Sequence, residues 1–451
     1  MTKKISGGII FLLLGALIFR VVIITWSLQF RENTDVIRYK DQARIAYLYG
    51  LADTYKPTHL TFGTLPNNQP PGTTYILYGT YLLELQAAKV IFKLTHTSPV
   101  NNQWVNGPLV TIFLRLPSIL ADLILGALIY LFIKNYSSEK KALFGSTLFL
   151  FSPPVWYNSA FWGQMDSLNN LMFFIAIFFL SQKKYFWSIL FVFLALFIKL
   201  SLLPVLPFFF YLLFVKNKYL WKKLVLITLI CVVLIFVLTL PISKFNILWI
   251  FEFIKNNSVG ETPAITNFAF NFWWMLFHPT ISLGNPNSLF SFSEVRMNNS
   301  PLDSISYFFL PLFLWAIIFF IITSLPILKK IYFLKNNVFE PQNILIIFTL
   351  INLLIFILLP RIHDRYLYPL FPLLAALVGL SGKYFKIFIF FSLLNLINLY
   401  IAWHPMKLWF FPYEVMNNSN FQWFISFGMV LTGVIFYFKA IKSGFIYGKN
   451  K

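Results

Sequence analysis

Thirteen long apolar runs alternate with short polar segments along the chain. They lie near 7–29, 72–95, 107–133, 142–157, 166–182, 185–199, 200–215, 221–243, 304–327, 341–359, 366–381, 385–403 and 421–440. Runs of about 17–25 apolar residues can cross a bilayer as helices. The run at 72–95 differs from the rest. It carries Glu84, Gln86, Lys89 and Lys93, which suits a helix lying in the interface better than one crossing the hydrocarbon. With that run laid on the outer surface, about twelve spans remain and both chain ends fall inside. The pattern predicts an all-α, polytopic membrane fold in a single domain over 1–451. Interfacial helices sit in two long outer loops, 31–106 and 244–303.

Charge placement supports this topology. It puts 20 Lys and Arg on the inner side, Lys3, Lys4, Lys449 and Lys451 among them, with only Glu139 and Glu340. That accounts for +18 of the net +21. The basic excess is then the bias of cytoplasmic loops toward positive charge, and a nucleic-acid partner is not expected. All five histidines (His59, His96, His278, His363, His404) and twelve of the fifteen acids fall outside, and Asp122 is the one acid within a span. Composition agrees: 11% of residues are charged and mean hydropathy is +0.72, whereas soluble domains carry about 25% charged residues. Cys231 is the single cysteine, inside an apolar run, so no disulfide framework or thiolate metal site is expected. Residues 1–30 read as an uncleaved first span, since no small-residue cleavage site follows. No Gly-rich phosphate loop lies inside, so nothing points to ATP use there.

Three polar islands break this apolar background, all on the outer side: Asn33-Thr34-Asp35, Trp162-Gly163-Gln164-Met165-Asp166-Ser167, and Arg361-Ile362-His363-Asp364-Arg365-Tyr366. Ionisable groups at the membrane edge are functional candidates by default. Asp35 opens a segment to Leu51 with apolar residues at Ile37, Ile45, Leu48 and Leu51, the pattern of an interfacial helix. There Asp35 is either a helix cap or a carboxylate kept ionised by the helix dipole. Arg361, His363 and Arg365 offer three phosphate-capable donors within five residues; lipid-headgroup anchoring is the plainer alternative. Lys199 stands between two apolar runs, as a snorkelling side chain or as an ammonium for a phosphate. Asn267 and Asn271 lie among aromatics that end in Trp273-Trp274. Amides in such company read sugar hydroxyls, while the two tryptophans suit an interfacial belt. Asn68-Gln69-Pro70-Pro71-Gly72 gives an extended entry and a glycine that permits close approach before the surface helix. Arg115 and Asp122 share one helix face, and Arg20 at matching depth is expected to pair with Asp122 as a structural ion pair.

Taken in order, these pieces resemble the GT-C class of integral-membrane glycosyltransferases. They are most similar to the bacterial and archaeal mannosyltransferases related to the enzyme that adds the second mannose of GPI anchors. The resemblance rests on Asp35 with Tyr39, Gln69-Pro70-Pro71-Gly72, Arg115-Leu116-Pro117 with Asp122, Trp162 to Ser167, Lys199, Asn267 to Trp274, and Ile362 to Tyr366. It covers about residues 10–405. Thr34-Asp35 stands where relatives usually carry Gly-Asp, and Asn68-Gln69-Pro70-Pro71 where they carry Asp-Tyr-Pro-Pro. Ile362 and Asp364 replace the usual methionine and glutamate.

The resemblance implies transfer of a hexose, with mannose the first expectation, from a polyprenyl-phosphate-linked donor to a glycan, lipid or protein acceptor on the outer face of a prokaryotic plasma membrane. Asp35 and Asp166 are then the catalytic carboxylates, and Lys199, Arg361, His363 and Arg365 take the donor phosphate. Tyr39, Gln69, Trp162, Gln164, Asn267, Asn271 and Tyr366 take sugar or acceptor. No cofactor is required. A divalent cation between Asp35 and Asp166 is compatible with the two carboxylates, but no spacing demands it. Two readings from other classes remain: a transporter or flippase of a lipid-linked sugar, which favours internal repeats and helices broken at mid-depth, and a non-catalytic membrane scaffold.

Overall fold

A computed structural model describes residues 6–30, 32–61, 64–95, 107–259, 263–277, 296–297, 300–404 and 413–446. His96 and His278, the four terminal lysines named above and the middle of the second long loop lie outside these residues. The protein is an all-α polytopic membrane protein. Among the described residues, seven helices are long and apolar enough to cross a membrane. They are α1 (Gly7–Ser27), α4 (Pro108–Tyr136), α10 (Trp221–Ser243), α13 (Leu312–Phe333), α14 (Pro341–Leu358), α16 (Phe385–Ala402) and α18 (Ser419–Ser443). Shorter apolar helices are α7 (Asp166–Ser181), α8 (Tyr185–Ile198) and the unit at Leu200–Lys216, which ends in α9 (Leu206–Lys216).

Two expected spans are broken, each by proline. The run near 142–157 folds as α5 (Glu139–Leu150), then α6 (Pro153–Trp156), then a π-helical turn over Tyr157–Trp162. Pro153 and Pro154 lack the N–H groups that would continue α5. The run near 366–381 starts as a 3₁₀ turn, Asp364–Leu367, and becomes α15 (Leu370–Ser381) only after Pro369. The run expected at 304–327 also shifts. Ser306–Tyr307 and Leu310–Pro311 pair as a small antiparallel ladder, so α13 begins at Leu312. Both breaks in the helices fall where the polar islands lie.

The first long loop holds α2 (Thr34–Leu48) and α3 (Pro71–Thr95). Gly72 allows α3 to abut α8: a Cβ there would lie 2.5 Å from the Phe197 carbonyl oxygen. Thr73 Oγ1 donates to Ile198 O at 2.7 Å, closing the same seam. The core is one large apolar cluster centred on α14, whose side chains are buried almost throughout. Two ends are distinct. At one, the basic loops meet: Lys216 Nζ donates to Tyr332 O at 2.7 Å, Lys183 lies over Phe339 and Lys330 over Phe445. At the other, the three polar islands meet.

Candidate active site

The first wall of the site comes from α2. Asn33, not Asp35, caps this helix, its side-chain oxygen accepting from the Asp35 backbone N–H at 2.7 Å. The Asp35 carboxylate is therefore free to turn elsewhere. It accepts from Gln164 Nε2 at 2.6 Å and from Arg365 Nη1 at 3.4 Å. One helical turn on, the Tyr39 hydroxyl donates to Gln164 Oε1 at 3.3 Å. Gln164 thus holds both side chains with a single amide.

The second wall follows the π-helical turn. Gly163 has φ +90°, a left-handed conformation that suits glycine. A Cβ there would come within 3.0 Å of Arg115 Nε and 3.1 Å of Val36 Cγ2. Asp166 opens α7 and is buried. It pairs with Lys199, accepts from Asn158 Nδ2 at 3.3 Å, and lies 3.8 Å from Arg365 Nε. Trp162 packs against Trp403 with ring centroids 5.4 Å apart, and the Arg365 guanidinium lies 5.8 Å from the Trp162 ring.

The third wall is a stitch between distant segments. β1 (Thr266–Asn267) pairs in parallel with Ile362–His363, setting Asn267 opposite His363. Asn267 Nδ2 lies 3.1 Å from His363 Nδ1. Arg361 adopts φ +61°, a conformation that costs a non-glycine residue about 1–3 kcal/mol and clusters at functional sites. Its guanidinium pairs with Asp303, Nη2 donating to Oδ1 at 3.2 Å. Lys199 lies over the Tyr366 ring at 5.7 Å.

Lys199 and the third wall border a cavity of about 270 Å³, and the first two walls lie behind it. Its lining includes Gln69, Lys199, Arg361, His363 and Tyr366, with leucines and prolines between them and no carboxylate. Asp166 stands behind the lining, tied to it through Lys199, and Asp35 stands further back, joined to Asp166 by Arg365. The cavity thus carries cations on a partly apolar wall, with Asp166 one ion pair away through Lys199 and Asp303 one ion pair away through Arg361. The positive charge between Asp35 and Asp166 is the Arg365 guanidinium, so a metal ion bridging them would have to displace it. Among the described residues, no three His, Cys, Asp or Glu side chains converge as metal ligands.

Burial and charge set the protonation states. Burial pushes the Asp35 carboxyl up, but Arg365, the Gln164 hydrogen bond, Arg38 and Lys199 together bring it below the ordinary carboxylate range. Burial, reinforced by Arg365 and Lys199, lowers His363 to about 3, so its imidazole is neutral at physiological pH. Burial lifts Asp364 to about 7; Arg365 opposes this and Asp166 and Asp35 add to it. Burial works against the Arg365 cation, yet Asp35, Asp364 and Asp166 raise its pKa overall.

Of the thirteen residues singled out from sequence, Gln69, Lys199, Arg361, His363 and Tyr366 line the cavity, seven more join the network behind it, and Asn271 does neither. That side chain is fully buried and spent on backbone: Nδ2 donates to Phe356 O at 3.1 Å, and Oδ1 accepts from the N–H groups of Trp273 and Trp274. It caps the short helix Phe272–Phe277 and does not face the cavity. Asp303 and Asn158 were not anticipated. Asp303 sits in the long second loop with no local motif around it. Asn158 lies inside an apolar run, and its polarity there was the available signal.

Fold and site together define an integral, multi-pass membrane protein with a polar site recessed at one end of its helices. No family model and no curated protein matches the chain. Crystal structures of ArnT from Cupriavidus metallidurans, in the apo state and bound to undecaprenyl phosphate, align over 96% of this chain and 77% of theirs. Identity is 16% and the TM-score 0.46. At those values the likeness carries over neither an activity nor the role of any residue.

Proposed function

We propose that the protein is a GT-C-like glycosyltransferase that moves a hexose, mannose being the first candidate, from a polyprenyl-phosphate donor to an acceptor at the outer face of a prokaryotic plasma membrane. One observation carries the reading: Asp35, Gln164, Arg365, Asp166 and Lys199 form a continuous hydrogen-bonded and ionic chain behind a cavity lined by Lys199, Arg361 and His363. Cations on the lining suit a phosphate, and apolar residues beside them suit the first units of a lipid chain. The basic loops at the opposite end support an outward-facing site, since such loops are biased to the cytoplasm; both termini would then lie inside. A lipid-linked donor fits that side, because nucleotide sugars are made in the cytoplasm.

The chemistry is a single inverting displacement. The acceptor hydroxyl attacks the anomeric carbon, the bond from that carbon to the phosphate oxygen breaks, and the proton passes to Asp35. The leaving polyprenyl phosphate keeps the electron pair. Lys199, Arg361 and Arg365 stabilise its charge, the kind of electrostatic contribution that usually dominates catalysis. Neutral His363, held by Asn267, acts as a hydrogen-bond donor to the phosphate and not as a proton source. A bound phosphate draws Arg365 and Lys199 away from the carboxylates. That raises Asp35 toward the range where a general base works best.

The test is transfer from a panel of radiolabelled polyprenyl-phosphate hexoses by purified wild type, Asp35→Asn and His363→Ala. Loss of the base is expected to cut transfer by about 10²–10⁴-fold, with a smaller loss in His363→Ala. Label that crosses the membrane on an intact donor, with no glycosylated product, would mark a transporter and refute this reading.

A further inference from the structure

Arg20 and Asp122 form an ion pair with both side chains wholly buried, Arg20 Nη2 donating to Asp122 Oδ2 at 3.0 Å. Buried pairs of this kind are poor stabilisers: swapping one for apolar residues of similar size is often neutral or favourable. Packing energy alone therefore does not explain why the pair is there, but its other bonds suggest a reason. Ser159, in the π-helical turn that leads to Trp162 and Gln164, donates to Asp122 Oδ2 at 2.6 Å. The Tyr368 hydroxyl donates to Asp122 Oδ1. With its proton committed there, Tyr368 accepts from Ser167 Oγ at 2.9 Å. Ser167 adjoins Asp166, and Tyr368 follows Arg365 by three residues. Asp122 is thus the point where the turn bearing Asp166 and the turn bearing Arg365 are tied to one rigid helix.

The rest of that helix face does related work. Ser118 Oγ donates to Gln164 O at 2.7 Å, and Arg115 Nη1 donates to Ala160 O at 3.2 Å. Residues 115, 118 and 122 share one face of α4, and each grips the segment 159–167.

We propose that Asp122, acting through Tyr368 and Ser159, is a positioning residue that sets the spacing of Asp166 against Arg365. This rests on the transferase reading above. Asp122 touches no substrate. Its effect comes through geometry, and a misplacement of about 1 Å near a reacting centre costs on the order of 10²-fold in rate.

The experiment compares wild type, Tyr368→Phe and the double variant Arg20→Met/Asp122→Leu in the transfer assay, with thermal unfolding followed in parallel. The double variant removes the anchor without leaving an unpaired buried charge. It is expected to unfold at or above the wild-type temperature and to lose about 10- to 100-fold in kcat. Its donor KM stays within about twofold, because the cavity cations are untouched. Tyr368→Phe is expected to lose kcat in the same direction by a smaller factor, and it decides the matter if the double variant does not fold. A folded double variant that turns over at the wild-type rate overturns the proposal. So does a fall in kcat matched by a rise in KM and a lower unfolding temperature, which would mark general loosening. Wild type that transfers nothing from any donor overturns the proposed function, and this inference with it.

Discussion

Asp364→Asn isolates one protonation state and tests it by stability alone. Asp364 is 4% exposed, and its Oδ2 has no hydrogen-bond partner. Burial raises its pKa from 3.8 to about 7. The sign follows directly. Below pH 4 both folded and unfolded chains hold the proton, and the group costs nothing. Between pH 4 and 7 the unfolded chain releases the proton while the folded chain keeps it, so stability falls as pH rises. Above pH 7 the penalty is constant. A gap of about 3 pH units at about 1.4 kcal/mol per unit sets an upper bound near 4 kcal/mol. Asparagine resembles the protonated acid in shape and cannot ionise. The variant should therefore match wild type near pH 4 and exceed it by roughly 1–4 kcal/mol at pH 8. Thermal unfolding of both proteins in the same detergent, at unit steps from pH 4 to pH 8, gives the difference. A gap that stays flat across this range would show that Asp364 is ionised in the folded protein, and the argument from burial would fail.

Two further outcomes follow from the same geometry. Gly163→Ala places a methyl group against Arg115 and Val36 in a left-handed backbone. It should cost about 1–3 kcal/mol and lower transfer as well, seen as a reduced unfolding temperature together with a reduced kcat. Lys199→Met leaves Asp166 without its ammonium. Breaking one side of a buried pair costs about 3–5 kcal/mol, here softened by Asn158 and Arg365. Donor KM should rise at least tenfold, and an unchanged KM would remove Lys199 from the phosphate site.

Much of this arrangement is legible in the sequence because apolar flanks make polar residues conspicuous. Asp166, His363 and Arg365 stand out for that reason, and so does the Arg20–Asp122 pair. Proline marks where two helices break, although the π-helical turn leaves no mark of its own. Other features depend on three-dimensional detail. Asn33 and Asp35 are both good capping residues two positions apart, and propensity does not choose between them; Gln164 and Arg365, supplied from far along the chain, draw Asp35 away. The helix that Asn271 caps is only six residues long and leaves no periodic pattern, so its aromatic neighbours point to sugar binding while its bonds go to backbone. Asp303 meets Arg361 across 58 residues, and no local pattern announces it.

The helices around the site are short. α7 has 16 residues, α8 has 14 and α15 has 12, which at 1.5 Å per residue gives about 24, 21 and 18 Å. The hydrocarbon core is about 30 Å thick. With their inner ends level with those of the longer spans, these helices would stop short of the outer headgroups, and the polar floor of the cavity would lie below them. A lipid-borne phosphate then reaches it by sinking a few ångströms or by a locally thinned leaflet, and each carries a modest cost per ångström of mismatch. Bilayer thickness thus becomes a control on access: phospholipids with longer acyl chains would deepen the well, and shorter ones would bring the membrane surface down to it.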